Sequence, residues 1–92
     1  MTLEQLRIVV AVAEREHMTR AAEALGIVQS AVSAAVAALE TGHDVHLFHR
    51  VGRRVELTEA GRVFLAEALD VLARAAAAER TLADMGGLKR GT

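Results

Sequence analysis

Apolar residues recur at helical spacing along most of this chain, and they alternate with polar residues in one short stretch. From Thr2 to Glu14 they form the wide stripe of an amphipathic helix, and Thr2 with Gln5 has the spacing of a capping box. Residues 46–50 and 54–57 instead alternate on either side of a glycine, as the strands of a β-hairpin do. The chain is therefore predicted to be mainly α-helical with one small hairpin.

The stretch from Met18 to Leu39 predicts two helices joined by a tight turn. Thr19 is placed to cap the first helix, and Gly26 follows its last apolar residue, where a left-handed conformation suits glycine. The second helix is expected to begin near Gln29 and to bury every third or fourth residue. This pattern is typical of a helix-turn-helix, whose second helix can enter the DNA major groove. An ordinary helical hairpin has the same apolar skeleton and is the alternative interpretation.

Polar residues open both helices of this pair. Gln29, Ser30 and Ser33 lie in the first turns of the second helix, the end that faces DNA when a helix-turn-helix docks. Glutamine can bind N6 and N7 of adenine together, and serine can donate or accept. Thr19 and Arg20 begin the preceding helix, whose free N–H groups suit a backbone phosphate. Helix capping is the other role open to Gln29 and Ser30.

A turn is predicted at residues 41–44, before the hairpin. The hairpin has its tip at 51–53 and carries three arginines, Arg50, Arg53 and Arg54. Guanidinium groups at a hairpin tip can reach phosphates or enter a narrow minor groove. A solvated basic loop is the alternative, but beside a helix-turn-helix the hairpin has the position of a wing.

Thr58 begins a helix that is predicted to run to about Met85, roughly 40 Å at 1.5 Å per residue, and to end at Gly86 and Gly87. Its apolar stripe recurs with spacings of four and three and is widened by leucines. The stripe comprises Phe64, Leu65, Ala68, Val71, Leu72, Ala75, Ala78 and Leu82. One small domain cannot cover all of it, so the stripe predicts a homodimer through residues 59–85. The alternative is that the first half packs on its own domain and the second half is solvated.

Composition narrows the class of protein. A chain of 92 residues forms one domain, and with 2% aromatic residues its core must be aliphatic. There is no cysteine for a disulfide or a thiolate metal site, and no apolar run is long enough to span a membrane. The first residues lack the pattern of a signal peptide, so we expect a cytoplasmic protein. With a formal net charge of −1, a DNA-binding face would have to concentrate the positive charge.

Catalytic and metal-binding motifs are not found. Three histidines, His43, His46 and His49, are spaced three apart, but no carboxylate–histidine pattern of ligand spacing accompanies them. The sequence has no glycine-rich phosphate loop after a strand and neither an HExxH nor a GxSxG motif. We therefore expect no metal, no cofactor and no enzymatic activity.

Taken in order, the stretches LEQLRIVVAVAE, TRAAEALGI, QSAVSAAVAALE and VHLFHRVGRRVELTEAG resemble the N-terminal DNA-binding domain of LysR-type transcriptional regulators, over residues 1 to about 85. The resemblance implies a winged helix-turn-helix of three helices and a small β-hairpin wing, followed by a long linker helix. The implied ranges are 1–58 for this domain (helix-turn-helix 18–37, wing 45–57), 59–85 for the linker dimerisation helix and 86–92 for a flexible hinge or tail. The family reads interrupted palindromes in double-stranded DNA, as dimers with antiparallel linker helices.

The resemblance also implies which residues face DNA. The matching positions are Thr19, Arg20, Gln29, Ser30, Ala31, Ser33, Ala34, Arg50, Arg53 and Arg54. At several positions the chain departs from the family. Val28 stands where a capping Ser or Thr is common, Ser30 where Pro is common, and Ala34 where Arg often contacts DNA. Asp44 replaces a usual Gly, and the neighbouring Gly42 is expected to take over that turn.

Members of this family generally continue into a larger effector-sensing domain. The chain is therefore expected to be a DNA-binding fragment, and any oligomer larger than a dimer belongs to the full-length protein. Ala34 and the negative net charge keep a second function open, a winged-helix dimerisation module for protein–protein contact without specific DNA binding.

Overall fold

The computed structural model describes the backbone of residues 1–90 and the side chains of residues 1–87. Within that part of the chain, four helices and one two-stranded antiparallel hairpin follow each other in the predicted order. They are α1 (Leu3–Arg15), α2 (Met18–Leu25), α3 (Gln29–His43), β1 (Phe48–Val51), β2 (Arg54–Leu57) and α4 (Glu59–Arg90). The fold class predicted from the sequence, a winged helix-turn-helix followed by a long helix, is confirmed.

The core lies where α1, α2, α3 and the hairpin meet, and α4 packs on α1. Val9, Val12 and Val32 have no exposed surface, and Phe48 is the one buried aromatic residue of the described chain. Such an aliphatic core is small, so the elements around it depend on caps and turns as well as on burial. The capping box at α1 is confirmed, since Thr2 Oγ1 accepts from Gln5 N at 3.1 Å and Gln5 Oε1 accepts from Thr2 N at 3.0 Å.

The cap of α2 differs from the prediction. His17, not Thr19, is the N-cap residue, and its Nδ1 accepts from the backbone N–H of Arg20 at 3.2 Å. Thr19 lies inside the first turn, two residues after the capping position. At the other end Gly26 has the expected left-handed conformation, with φ of 69°. The capping position was misplaced because an imidazole nitrogen can accept from the N3 amide in the way a hydroxyl does.

Helix α3 is longer than predicted and continues to His43, so that of the expected turn at 41–44 only Asp44 lies outside the helix. Thr41 Oγ1 donates to the carbonyl of Ala37 at 2.7 Å, so a polar side chain is satisfied on the helix itself. Gly42 lies within α3, and Asp44 takes the left-handed conformation with φ of 53°. The expectation that Gly42 would supply the turn was therefore wrong. Aspartate tolerates this region better than most residues, because its short side chain can bond locally.

The first strand begins at Phe48, two residues later than the predicted start at 46. The amides of Leu47 and Phe48 both donate to Glu40 Oε2, at 2.7 and 3.2 Å, and both side chains are buried. Two consecutive buried residues break the alternation of a strand. The hairpin register pairs Val51 with Arg54 across a turn at Gly52, whose φ is 64°.

Helix α4 does not end at Gly86 and Gly87 but continues to Arg90. Glycine within a helix costs about 1 kcal/mol relative to alanine, which weakens the helix without breaking it, and no proline follows. The predicted tail at 86–92 is therefore helical up to residue 90, and residues 91–92 lie outside the described part. Because α4 is so long, the described molecule measures 58 × 25 × 20 Å.

No single helix among the described residues is long and apolar enough to cross a membrane. By length and composition alone, α2 and α3 taken together reach that threshold, but they are bent by 111° relative to each other.

Candidate nucleic-acid interface

The N-terminal end of α3 forms an exposed surface next to the tight turn. Val28, the N-cap residue, makes no capping hydrogen bond through its side chain and is 67% exposed. The next turn presents Gln29, Ser30, Ala31 and Ala34 to solvent. Val32 points the opposite way, into the core, and this anchors the helix so that its outer face is free.

Two polar side chains on this surface are already paired. Gln29 Nε2 donates to Ser33 Oγ at 2.9 Å, one turn apart on α3. The amide oxygen of Gln29 and its second N–H remain available, which is the pair that binds N6 and N7 of adenine. Holding Gln29 in one rotamer reduces the conformational entropy that is lost on binding.

The wing lies beside this helix across a cleft of about 210 Å³. Ser33 from α3 and Arg50 from β1 both line the cleft, together with Phe48 and Val55 from the hairpin. The structure thus brings together two groups of predicted site residues that are separated by about one fifth of the chain. Arg50 and Arg53 are exposed, and no carboxylate of the described residues lies within ion-pair distance of either.

Arg54 is in a different situation from the other two wing arginines. Its Nη2 lies 2.8 Å from Glu16 Oε1 and 3.5 Å from Glu56 Oε2. The guanidinium is therefore engaged within the chain. The three arginines are close in sequence, and nothing in their spacing indicated that Glu16 would reach one of them.

Thr19 and Arg20 lie at the start of α2 with exposed side chains. The backbone N–H of Arg20 is taken up by His17, so this amide is not free for a phosphate as predicted. The Arg20 guanidinium is exposed and adds a third cation to Arg50 and Arg53.

The histidines do not form a metal site in the part of the chain described. His43 Nδ1 lies 2.9 Å from the carbonyl oxygen of Leu39, and His49 Nε2 lies 3.6 Å from Glu56 Oε1. Over the described residues there is no group of three side chains placed to hold a metal ion.

The eight residues predicted for a dimer interface fall on two sides of α4. Ala68 is 1% exposed, so it is buried in its own chain and cannot also contact a partner. Phe64, Leu65, Leu72 and Ala75 are partly buried. Three remain exposed: Val71, Ala78 and Leu82. The prediction that Ala68 belongs to the dimer interface was wrong. The apolar stripe of α4 contains residues of the intrachain core as well as residues that are exposed to solvent.

Sequence reasoning missed three residues that hold this surface in place. Glu40 binds the loop before β1, Glu16 contacts the wing, and Gly61 is buried where α4 starts against Leu47. Each acts on a residue at least seven positions away in sequence, beyond the reach of a capping or turn pattern.

Several known proteins are similar to this chain in sequence. The profile described as "Bacterial regulatory helix-turn-helix protein, lysR family" matches residues 3–62. The HTH-type transcriptional regulator BudR of Klebsiella aerogenes is 46% identical over 91 residues, which are 99% of this chain and 62% of BudR. A probable RuBisCO transcriptional regulator of Nostoc sp. is 43% identical over 91 residues, 99% of this chain and 27% of that protein. The chain therefore spans only part of the length of these relatives.

Two solved structures are similar over nearly their whole length. The BenM_DBD/benA site 1 DNA complex superimposes with a TM-score of 0.87 and 30% identity, covering 94% of this chain and 97% of that one. The CbnR_DBD–DNA complex has a TM-score of 0.76 and 36% identity, covering 90% and 99%. Both of those proteins were solved bound to DNA.

Proposed function

This chain belongs to the LysR family of bacterial regulatory helix-turn-helix proteins, and we propose that it reads specific sequences in double-stranded DNA as a homodimer. The observation that carries the proposal is the joint surface of α3 and the wing. There an exposed helix end with a preset Gln29–Ser33 pair lies across one cleft from the exposed Arg50.

Base readout would come from the N-terminal half of α3 in the major groove. Gln29 can bind adenine through both polar atoms of its amide, and Ser33 can contact a neighbouring base edge. Ala31 and Ala34 present methyl groups, which suit the C5-methyl of thymine. The side chain of Ala34 cannot form a hydrogen bond with a base. Helix α3 therefore contributes less to sequence specificity than it would with an arginine at position 34.

Phosphate contacts would supply most of the affinity. Arg50 and Arg53 on the wing and Arg20 on α2 are exposed cations on the elements that flank α3. The rest of the chain is acidic enough to bring the net charge to −1, so binding away from this face is disfavoured. Affinity gained through a few phosphates falls steeply as salt rises.

The first test is a selection of random duplex DNA on the purified chain at two salt concentrations. We expect an enriched motif with two-fold symmetry. Arg53→Gln should lower the slope of log affinity against log salt by about 0.9 for each lost phosphate contact, so by about 1.8 for a dimer. Arg7→Gln, which makes the same charge change on α1, is the control and should leave the slope unchanged. No retention of DNA at either salt would contradict the proposal and favour a protein-interaction module.

The homodimer is proposed from the outer side of α4. Val63, Val71, Leu82 and Met85 are exposed apolar residues that lie within an arc of about 100° when a helix turns by 100° per residue. Leu82 and Met85 lie toward the C-terminal end of α4, and they are 69% and 60% exposed. Apolar side chains placed in this way favour a contact with another molecule.

An apolar groove of about 490 Å³ continues this face at the start of α4. Its walls include Leu39 from α3 and Val45 from the loop that follows it, and Val63 and Phe64 from α4. In an antiparallel pair of α4 helices centred near residue 74, the partner's Leu82 and Met85 would lie beside this groove. The proposed interface is therefore Val63, Val71, Ala78, Leu82 and Met85, with Ala68 removed from it.

A matched pair of substitutions tests the dimer. Val71→Glu should weaken dimerisation at least about tenfold, because it would bury a charge in each half of the interface. Leu69→Glu is the control, since Leu69 has similar exposure (47% against 41%) but faces the opposite side of the helix. Sedimentation velocity over a range of concentrations measures the effect. Equal dimerisation of both variants would contradict the proposed interface and leave DNA binding as a separate question.

A further inference from the structure

Glu16, which joins α1 to α2, has a backbone conformation that glutamate rarely adopts. Its φ and ψ are 54° and 34°, in the left-handed region. Among non-glycine residues, asparagine, aspartate and histidine are enriched in this region, and the short side chains of asparagine and aspartate can form local hydrogen bonds there. Backbone strain of this kind persists only where contacts with the surrounding structure maintain it.

Glu16 contacts the wing twice. Its carbonyl oxygen accepts from the backbone N–H of Val55 at 3.0 Å, and its carboxylate binds the Arg54 guanidinium at 2.8 Å. Arg54 is also 3.5 Å from Glu56, which in turn lies 3.6 Å from His49 on the opposite strand. One residue of the α1–α2 connection thus binds two adjacent residues of β2.

We propose that Glu16 is a positioning residue that fixes the wing through Arg54, and that Arg54 does not contact DNA. This inference rests on the proposed DNA-binding function, because it concerns where the wing arginines are held relative to α3. Arg50 and Arg53 are then the arginines of the wing that bind phosphate or enter the minor groove. Arg54 instead links the wing to the core.

The two contacts constrain different motions of the hairpin. The bond to Val55 N sets the distance between β2 and the end of α1. The bond between the Glu16 and Arg54 side chains limits rotation of the hairpin about that point. Both partners of this ion pair are about half exposed, so the pair adds little to the global stability of the chain and its effect is local.

Amide hydrogen exchange measured by NMR on the full chain without DNA tests the anchoring. Glu16→Gln and Arg54→Gln should each speed exchange of the Val55 amide by up to about fivefold, the range expected for an exposed ion pair. The double variant should match either single variant, because both remove one interaction. Glu14→Gln is the control, since Glu14 lies two residues earlier and pairs with Arg15 instead. Unchanged exchange in Glu16→Gln and Arg54→Gln would overturn the proposal.

Glu16→Gly separates the backbone from the side chain. Glycine removes the strain, so Tm should rise, while the loss of the carboxylate should speed exchange at Val55 as Glu16→Gln does. A rise in Tm without faster exchange would mean that the side chain does not position the wing.

Salt dependence of DNA binding tests the assignment of Arg54. Arg54→Gln should keep the wild-type slope of log affinity against log salt, whereas a phosphate contact would lower the slope by about 0.9 per subunit. A lowered slope would overturn the proposal. If the wild-type chain bound no DNA, the proposed function would fail, and the exchange experiment would still decide whether Glu16 anchors the wing.

Discussion

Replacing Gly61 with alanine is expected to destabilise the fold by about 3 kcal/mol or more, the upper range for overpacking a filled site. A Cβ at position 61 would lie 2.0 Å from the carbonyl oxygen of Leu47 and 2.9 Å from Leu57 Cδ2. The same carbonyl accepts from Thr58 N at 3.0 Å, which fixes the start of α4 against the wing. The backbone would have to move by more than 1 Å to relieve the contact, and this bond would be lost.

Gly42→Ala is the matched control for this substitution. Gly42 lies within α3, and a Cβ there would meet nothing within 4 Å. Alanine has the higher helix propensity, so this variant should be more stable by about 0.5–1 kcal/mol. Denaturant unfolding followed by circular dichroism measures both variants. If Gly61→Ala were as stable as the wild type, the close approach of α4 to Leu47 would be refuted.

Replacing Glu40 with alanine is expected to cost about 2–4 kcal/mol. The amides of Leu47 and Phe48 both donate to its carboxylate, and both residues are buried. A buried N–H that loses its acceptor costs about 1–3 kcal/mol, and both of these hydrogen bonds are partly buried. The loop that leads into the wing would loosen first, so Arg50 would also lose its position relative to α3.

Two further variants separate the hydrogen bonds of Glu40 from its charge. Glu40→Gln retains an oxygen acceptor and should lose only about 1 kcal/mol, the difference between a charge-assisted and a neutral hydrogen bond. Glu23→Ala removes an exposed carboxylate from α2 and should change stability by less than about 0.5 kcal/mol. Thermal unfolding compares the three. Equal losses in Glu40→Ala and Glu23→Ala would show that the two amides do not depend on Glu40.

Sequence signals that act within a few residues predicted the helix ends correctly in two places. The capping box of Thr2 and Gln5 and the left-handed Gly26 are interactions within one turn, and both are present as predicted. The predictions were wrong at helix ends where a different residue made the capping hydrogen bond or adopted the turn conformation. His17 caps α2 with an imidazole, and Asp44 adopts the turn conformation that was assigned to Gly42.

The candidate site also contains some residues that local signals could place and others that they could not. Gln29, Ser30, Ala31 and Ala34 could be placed on the outer face of α3 because helical periodicity decides which side is buried. The roles of the wing arginines could not be separated, since Arg53 and Arg54 are neighbours in sequence and differ only in what lies opposite them. The exposed face of α4 was also beyond reach, because the predicted stripe contains Ala68, which is buried, and Leu82, which is not.

The order of elements, the helix-turn-helix and its family follow from the sequence alone, because periodicity, turn glycines and motif spacing are properties of neighbouring residues. The folded structure was needed to see which arginine Glu16 holds, which amides donate to Glu40 and why a side chain does not fit at position 61. Those contacts join residues that are seven to 38 positions apart. Their geometry depends on the packing of several elements at once, which no local pattern contains.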